Sequence, residues 1–411
     1  MTKRNENRQG YKKTKVGWIP EEWECNVFSS IAKIKMGQSP NGKSYNTEGV
    51  GFPLINGPTE FTERYPIKKQ WTSSPTKVCN PGDILLCVRG SSTGRMNIAN
   101  DKYCIGRGIA SISYKDEKSY SIFIEQLLIN ITHIIFKLTT GSTFPNIDKN
   151  TLSSIKVGVP PLPEQKKIAE ILSAWDRAIE QVSRLIDAKQ RQKKGLMQQL
   201  LTGRMRFAEF GKPVEKKGEL PEGWKACKLG TCFNERKETN PDLPLLAITS
   251  ERGVIPRDEV ERKDTSNADK SKYKRIAPGD IGYNTMRMWQ GVSAVSTLEG
   301  IVSPAYTICT PQKGHSSRFF GYLFKYPPLI HLFHRFSQGL VSDTLNLKFR
   351  HFSQVKANVP SEAEQIRIAA VLSTCDREIE LLKKKQEKLK EQKKGLMQKL
   401  LTGEIRVNRL G

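Results

Sequence analysis

The segment Gly37-Gln38-Ser39-Pro40-Asn41-Gly42-Lys43-Ser44 matches G-x-x-x-x-G-K-[ST], a pattern whose backbone amides and lysine cradle nucleotide phosphates. That chemistry needs a strand before the loop and a helix after it. Residues 30–36 can supply the strand, but Tyr45–Phe52 carries two glycines and no helical period. A glycine-rich loop is the better reading, with Lys43 and Tyr45 free to meet a ligand. Pro241-Asp242 with Glu261-Arg262-Lys263 matches a loose metal-nuclease pattern, yet it lies in a polar run without strand alternation. Asn240-Pro241-Asp242-Leu243 falls short of the N/D-P-P-aromatic pattern that grips a flipped adenine. The eight cysteines form no C-x-x-C pair, and neither Cys227 with Cys232 nor His331 with His334 has companions at metal-ligand spacing. The residues thus describe a binding protein without catalytic, metal or cofactor chemistry of its own.

What would be bound follows from charge. Lys and Arg number 67 against 42 acidic residues, a net +25, and the pI is 9.7. Such an imbalance points to a polyanion, foremost nucleic acid. Mean hydropathy is −0.51 and no run of 18 apolar residues occurs, so no membrane span is expected. The polar, basic start of the chain, without an apolar stretch behind it, makes the cytoplasm the expected compartment.

The elements that must position any binding residues are duplicated. Glu164–Arg206 and Glu364–Arg406 align without a gap and agree at 22 of 43 positions. Both copies carry an alternating 4,3 seam. It runs through Ile168, Leu172, Trp175, Ile179, Val182, Ile186, Lys189, Lys193, Leu196 and Leu200, then Ile368, Leu372, Cys375, Ile379, Leu382, Gln386, Leu389, Lys393, Leu396 and Leu400. Four heptads of this kind predict a coiled coil about 55 Å long at 1.5 Å per residue. Pro163 suits a first turn, Ser361 with Glu364 forms a candidate capping box, and Gly203 and Gly403 stand as stops. Gly195 and Gly395 are expected to mark a bend or a close approach. Each helix needs a partner: the other copy, antiparallel or parallel, or a separate chain.

The segments before the helices repeat faintly. Gly17-Trp18-Ile19-Pro20-Glu21-Glu22-Trp23 answers Gly218-Glu219-Leu220-Pro221-Glu222-Gly223-Trp224, and Pro81-Gly82-Asp83-Ile84 answers Pro278-Gly279-Asp280-Ile281. An arginine follows each of the latter, Arg89 or Arg287. Strand-like runs at Asp83–Val88, Ile109–Tyr114 and Val302–Thr307, with helices over Ser121–Leu138 and Arg318–Phe336, predict mixed, sheet-rich α+β domains. The expected boundaries are a first domain over 1–160, a spacer helix over 161–206 and a linker over 207–220. A second domain over 221–360, a second helix over 361–406 and a tail over 407–411 complete the chain.

This layout resembles the specificity (S) subunit of type I restriction-modification systems. The likeness rests on the Gly17–Trp23 segment, Gly37–Pro40 with Tyr45-Asn46, Pro81–Leu85 with Arg89-Gly90, and Gly141–Ile147. Val159-Pro160-Pro161-Leu162-Pro163-Glu164-Gln165, at the helix entry, is the most specific mark; its echo Val359–Gln365 has Ser361 for the second proline. The resemblance implies two target-recognition domains reading halves of a bipartite double-stranded DNA sequence, and two helices paired antiparallel as a spacer. The seam leucines and isoleucines then also serve the docking of two methyltransferase (M) subunits, which methylate adenine N6 with S-adenosylmethionine. Two restriction (R) subunits can join, bringing ATP- and Mg-dependent translocation and cleavage. Divergent domains imply an asymmetric target. Candidate DNA contacts, in Gly-rich or polar loops, are Lys43, Tyr45, Arg89, Arg95, Arg107, Lys272, Lys274, Arg287 and Trp289. The competing readings are a free-standing DNA-binding regulator and an RNA-binding or assembly scaffold.

Overall fold

The computed structural model describes residues 5–139, 146–216, 218–261, 266–341 and 344–407. The Gly141–Ile147 mark lies mostly outside them, as do Arg262, Lys263 and residues 408–411. The chain forms two compact units, Met1–Ser183 with Lys385–Gly411, and Arg184–Lys384.

In the first unit β1 (Ala32–Met36), β2 (Ile84–Cys87), β3 (Met96–Ile98) and β4 (Ile109–Tyr114) make an antiparallel sheet in the order β3-β2-β4-β1. The run Ile84-Leu85-Leu86-Cys87-Val88 is apolar throughout because both of its faces are covered. Ile84, Leu86 and Val88 join a core with the helix α1 (Ser121–Thr139), while Leu85 and Cys87 enter a second core with Ile55, Tyr103 and Ile105. That second core belongs to a five-stranded sheet in which Cys104 pairs Leu54 in parallel and Val78 antiparallel. Along α1, Phe123, Ile124, Leu127, Leu128, Ile131 and Ile135 recur at helical spacing and are buried.

The second unit repeats this plan. β5 (Phe233–Glu235), β6 (Ile281–Asn284), β7 (Ser293–Val295) and β8 (Tyr306–Pro311) lie antiparallel in the order β7-β6-β8-β5, the first unit's order position for position. Two expectations are corrected. The strand read over Val302–Thr307 is two strands, Gly300–Val302 and β8, separated by a turn closed from the Tyr306 amide to the Ser303 carbonyl at 3.0 Å. Pro304 in that turn has no N–H for a ladder. The helix read over Arg318–Phe336 is likewise two, α2 being Leu162–Leu200 in chain order, α3 Ser317–Leu323 and α4 Pro327–Phe336. Pro327 and Pro328 fit only a first turn, and Tyr326 before them is extended at φ −79°, ψ 123°.

The duplicated helices are α2 and α5 (Glu362–Leu401). In each unit the first half of one lies antiparallel against the second half of the other. Ile168, Ala169 and Leu172 share the first unit's core with Met397, Leu400 and Leu401; Ile368, Ala369 and Leu372 share the second's with Leu200 and Leu201. Every predicted seam position is buried or half-buried. Lys393 reaches Asp176 at 2.6 Å in the first unit, as Lys193 reaches Asp376 at 2.5 Å in the second. These lysines sit in the seam because they have a carboxylate to meet there.

The helix ends are closed by a buried lock, present twice. Glu164 accepts from Trp23 Nε1 at 2.9 Å and is gripped bidentately by Arg406, Nε at 2.8 Å and Nη2 at 3.1 Å. Glu364 accepts from Trp224 Nε1 at 3.0 Å and from Arg206 Nε and Nη2, both at 2.9 Å. The carboxylates hold both guanidiniums above the usual arginine pKa. Next to each glutamate, the side-chain amide of Gln165 or Gln365 donates to the Pro160 or Pro360 carbonyl at 3.0 and 2.9 Å. This corrects the capping box: Ser361 accepts from the Glu364 amide at 3.4 Å, but the Glu364 carboxylate faces Trp224 and Arg206 instead of returning to Ser361. Gly203 and Gly403 are stops, at φ +70° and +69°. Gly195 and Gly395 mark no close approach, since a Cβ at either would stand in open space.

Candidate nucleic-acid interface

The loops that could read DNA are fixed by a turn built identically in both units. Asn80-Pro81-Gly82-Asp83 and Ala277-Pro278-Gly279-Asp280 are β-turns with proline second and glycine third. The glycines are at φ +88° and +90°, the left-handed position that a type II turn demands. Each aspartate is buried and caps its own turn. Asp83 accepts from the Asn80 amide at 3.0 Å and Ser111 Oγ at 2.7 Å; Asp280 accepts from the Ala277 amide and Thr310 Oγ1, both at 2.8 Å. In the second unit Arg236 adds a bond to Asp280 at 2.8 Å, and that contact raises its pKa. These motif aspartates thus organise strand starts, not ligands.

Beyond the turn, β2 leads into the loop that carries Arg89 and Arg95. Val88 N–H donates to the Gly108 carbonyl at 2.9 Å, and its own carbonyl accepts from Ile147 at 3.0 Å. Gly108 belongs to the turn bearing Arg107, whose amide donates to Ser39 Oγ at 3.2 Å in the Gly37–Ser44 loop. A Cβ at Gly37 would strike the Gly106 carbonyl, and one at Gly106 would strike Asn56. The glycines are there so that these backbones can converge. Gly42–Ser44 forms a short 3-10 turn, not a helix, so the phosphate-loop pattern lacks the helix N-terminus it requires. Lys43, Arg89, Arg95 and Arg107 are exposed, and none has a carboxylate partner among the described residues. Tyr45 is half-buried, its hydroxyl 3.4 Å from the Pro40 carbonyl. By contrast Arg64 pairs with Glu125 at 3.3 Å and Lys68 with Asp101 at 2.6 Å. The loop arginines are therefore among the cations left over for a polyanion.

In the second unit Thr285 N–H donates to the Ala305 carbonyl at 3.1 Å, and the Thr285 carbonyl accepts from Leu347 at 2.8 Å. Thr285 therefore stands where Val88 does, which gives Arg89's place to Met286 and displaces Arg287 by one residue. Arg287 is exposed and opens the 3-10 turn Met288–Gln290. Trp289 is half-buried, its N–H donating to the Met286 carbonyl at 3.0 Å and its ring edge-on to His334 at 5.9 Å. Lys272 is exposed, but Lys274 is taken up by the Tyr306 carbonyl at 2.8 Å and Glu235 at 3.9 Å. The structure thus gathers Arg89, Arg95 and Arg107 on touching loops and commits Lys274 to the fold. Sequence reading missed the buried pairs Glu164/Arg406 and Glu364/Arg206; their signal was identity between copies at polar positions where an apolar seam gave no reason for it.

The model for the "Type I restriction modification DNA specificity domain" matches residues 20–189 and 230–391, one copy in each half. The chain belongs to the type I restriction-modification DNA specificity family. The MjaVIII specificity subunit of Methanocaldococcus jannaschii is 26% identical over 412 residues, covering 95% of this chain and 95% of that one. The MjaX specificity subunit from the same organism is 42% identical over 200 residues, 48% of this chain. That alignment spans about half of the relative, 47% of its length. Among solved structures, the S subunit from M. genitalium aligns at TM-score 0.55 and 16% identity over 92% of this chain and 96% of its own. A chain from a study of complex assembly and conformational transition of the type I R-M system aligns at TM-score 0.59 and 17% identity, over 94% and 99%. At these identities the likeness is one of fold. The specificity-subunit fold thus houses DNA target-recognition domains joined by the long helices, as the resemblance implied.

Proposed function

We propose that this chain is the non-catalytic DNA-reading subunit of a type I restriction-modification complex, each unit reading one half of an asymmetric, bipartite duplex target. The observation that carries this is the contrast between the copies. Strand order, Pro-Gly-Asp turn and Glu–Arg–Trp lock are the same, while the exposed loops around Arg89 and Arg287 differ in sequence and register. Equal scaffolds with unequal loops suit two different half-sites. Arg89, Arg95 and Arg287 suit bidentate guanine contacts; Lys43, Lys272 and Arg107, whose turn is held by Ser39, suit phosphates, with Tyr45 and Trp289 as flanking contacts. Lys274, already bonded internally, keeps a positioning part.

In this reading α2 and α5 form the spacer and offer their outer faces to two M subunits. S-adenosylmethionine is bound by those subunits, and ATP and Mg by two R subunits where these join. The complex works in the cytoplasm, where its DNA is. Co-expression tests the assembly: tagged chain retains a methyltransferase of similar size or larger, and a chain that binds target DNA alone and retains none is instead a free-standing regulator.

A further inference from the structure

One feature of the first unit has no counterpart in the second. The connection from the first strand of the main sheet to the strand carrying the parallel pairing runs over residues 37–51 in the first unit, but only 236–245 in the second. The shorter connection serves a main sheet of the same strand order, so that sheet does not need the extra length. Much of it forms an arch, Thr47–Gly51, between Tyr45-Asn46 and Phe52-Pro53, which flank the strand Trp71-Thr72 on either side. Asn46 clamps the arch from within, its Nδ2 donating to the Val50 carbonyl at 2.9 Å and its Oδ1 accepting from the Val50 amide at 3.0 Å. Gly49 and Gly51 are at φ +85° and +88°, and a Cβ on Gly51 would strike the Thr72 carbonyl. At the crest Thr47, Glu48, Gly49 and Val50 are all exposed, Val50 at 58%.

Two crest residues are out of keeping with a generic basic surface. Glu48 has no cationic partner among the described residues; its carboxylate accepts only from Thr47, amide at 3.0 Å and hydroxyl at 3.3 Å. A carboxylate facing phosphates is repelled, unless it accepts a hydrogen bond from a base amino group, as glutamate does from cytosine N4. Val50 is exposed although apolar, and such a side chain suits the thymine methyl group in the major groove. On the same connection stand the exposed cation Lys43 and Ser39, which holds the turn of Arg107 at 3.2 Å. A carboxylate and an apolar side chain exposed on a clamped crest, on a connection that also carries the exposed Lys43, fit a base edge bordered by phosphates. Rigidity adds to this, because a clamped arch loses little freedom on binding.

We infer that the Asn46-clamped arch is a base-reading element of the first recognition domain. Glu48 accepts from an exocyclic amino group and Val50 packs on a thymine methyl, while Lys43 and Arg107 hold the adjoining backbone. This rests on the function proposed above and is tested so that the two fail separately. The full chain carrying E48Q, V50A, K43A or R107A is expressed with its methyltransferase in a host lacking the native gene, and modified sites are sequenced. For E48Q and V50A one position of one half-site changes its base preference on the order of 10-fold, the other half-site staying as in wild type. K43A and R107A lower methylation at all sites without altering the motif. Intact reading of the other half-site shows that the variants fold. An unchanged motif in E48Q and V50A overturns the inference, whether methylation stays normal or falls equally at every site, the latter marking the arch as a protein contact. A wild-type chain that directs no motif overturns the functional reading itself.

Discussion

Glu164 shows why identical polar residues persist in a duplicated helix. Its carboxylate is fully buried and satisfied by Arg406 and Trp23, so removing its charge leaves the half-buried Arg406 guanidinium with Glu22 as its remaining carboxylate. Glu364→Gln, which leaves the buried Arg206 without a carboxylate partner among the described residues, should destabilise the second unit by about 3–5 kcal/mol. Glu164→Gln should destabilise the first unit by less, because Arg406 keeps Glu22. Both are read as lower midpoints of urea unfolding, and a change below about 0.5 kcal/mol at Glu364 would contradict the lock. Buried thiols make a second test. Desolvation pushes Cys79 and Cys232 up to about 11 from 9.0. An unfolded chain releases these protons first as pH rises. The stability they confer is therefore complete below pH 9.0 and drains away between 9 and about 11. C79A/C232A should flatten that alkaline loss, and an unaltered slope would show that other groups carry it.

Among the elements, α2 and α5 were the most legible in sequence, because a seam repeated over four heptads overrides local ambiguity. Truncation in the seam, Leu172→Ala, leaves a cavity between core side chains and should cost about 2–5 kcal/mol. Other features were legible only in part. The strand over Val302–Thr307 and the helix over Arg318–Phe336 each ran through prolines whose missing N–H divides them. Val302–Thr307 looked continuous because the residues on either side of the turn are apolar or β-branched. The capping box at Ser361 failed because its glutamate answers partners 140 and 158 residues away, Trp224 and Arg206. The loop arginines were found as types in turns, but not their convergence, which depends on Gly37, Gly106 and Gly108 packing backbone on backbone. The copies agree least over 181–191 and 381–391, between the buried locks. If the helices set the half-site gap, one added turn in each at those segments, about 5.4 Å, should lengthen the accepted gap by one or two base pairs. An unchanged gap would refute a spacer role.

At the scale of the whole molecule, charge and duplication meet. A net +25 implies many phosphate contacts, so DNA affinity should fall steeply with salt, with a slope of about −0.9 per contact; a nearly flat response would remove phosphate binding from the account. The scaffold pairs many of its cations, as at Arg206, Arg406, Lys193 and Lys393, whereas Lys43, Arg89, Arg95 and Arg107 have no carboxylate partner among the described residues. Family and charge support the proposed reading of a chain that selects DNA while partner subunits carry out the chemistry. Sequencing of N6-methyladenine in a host with and without this gene tests that claim most directly. The account predicts an asymmetric bipartite motif, methylated in the presence of the gene and lost on its deletion. Persistence of every bipartite motif after deletion would contradict it.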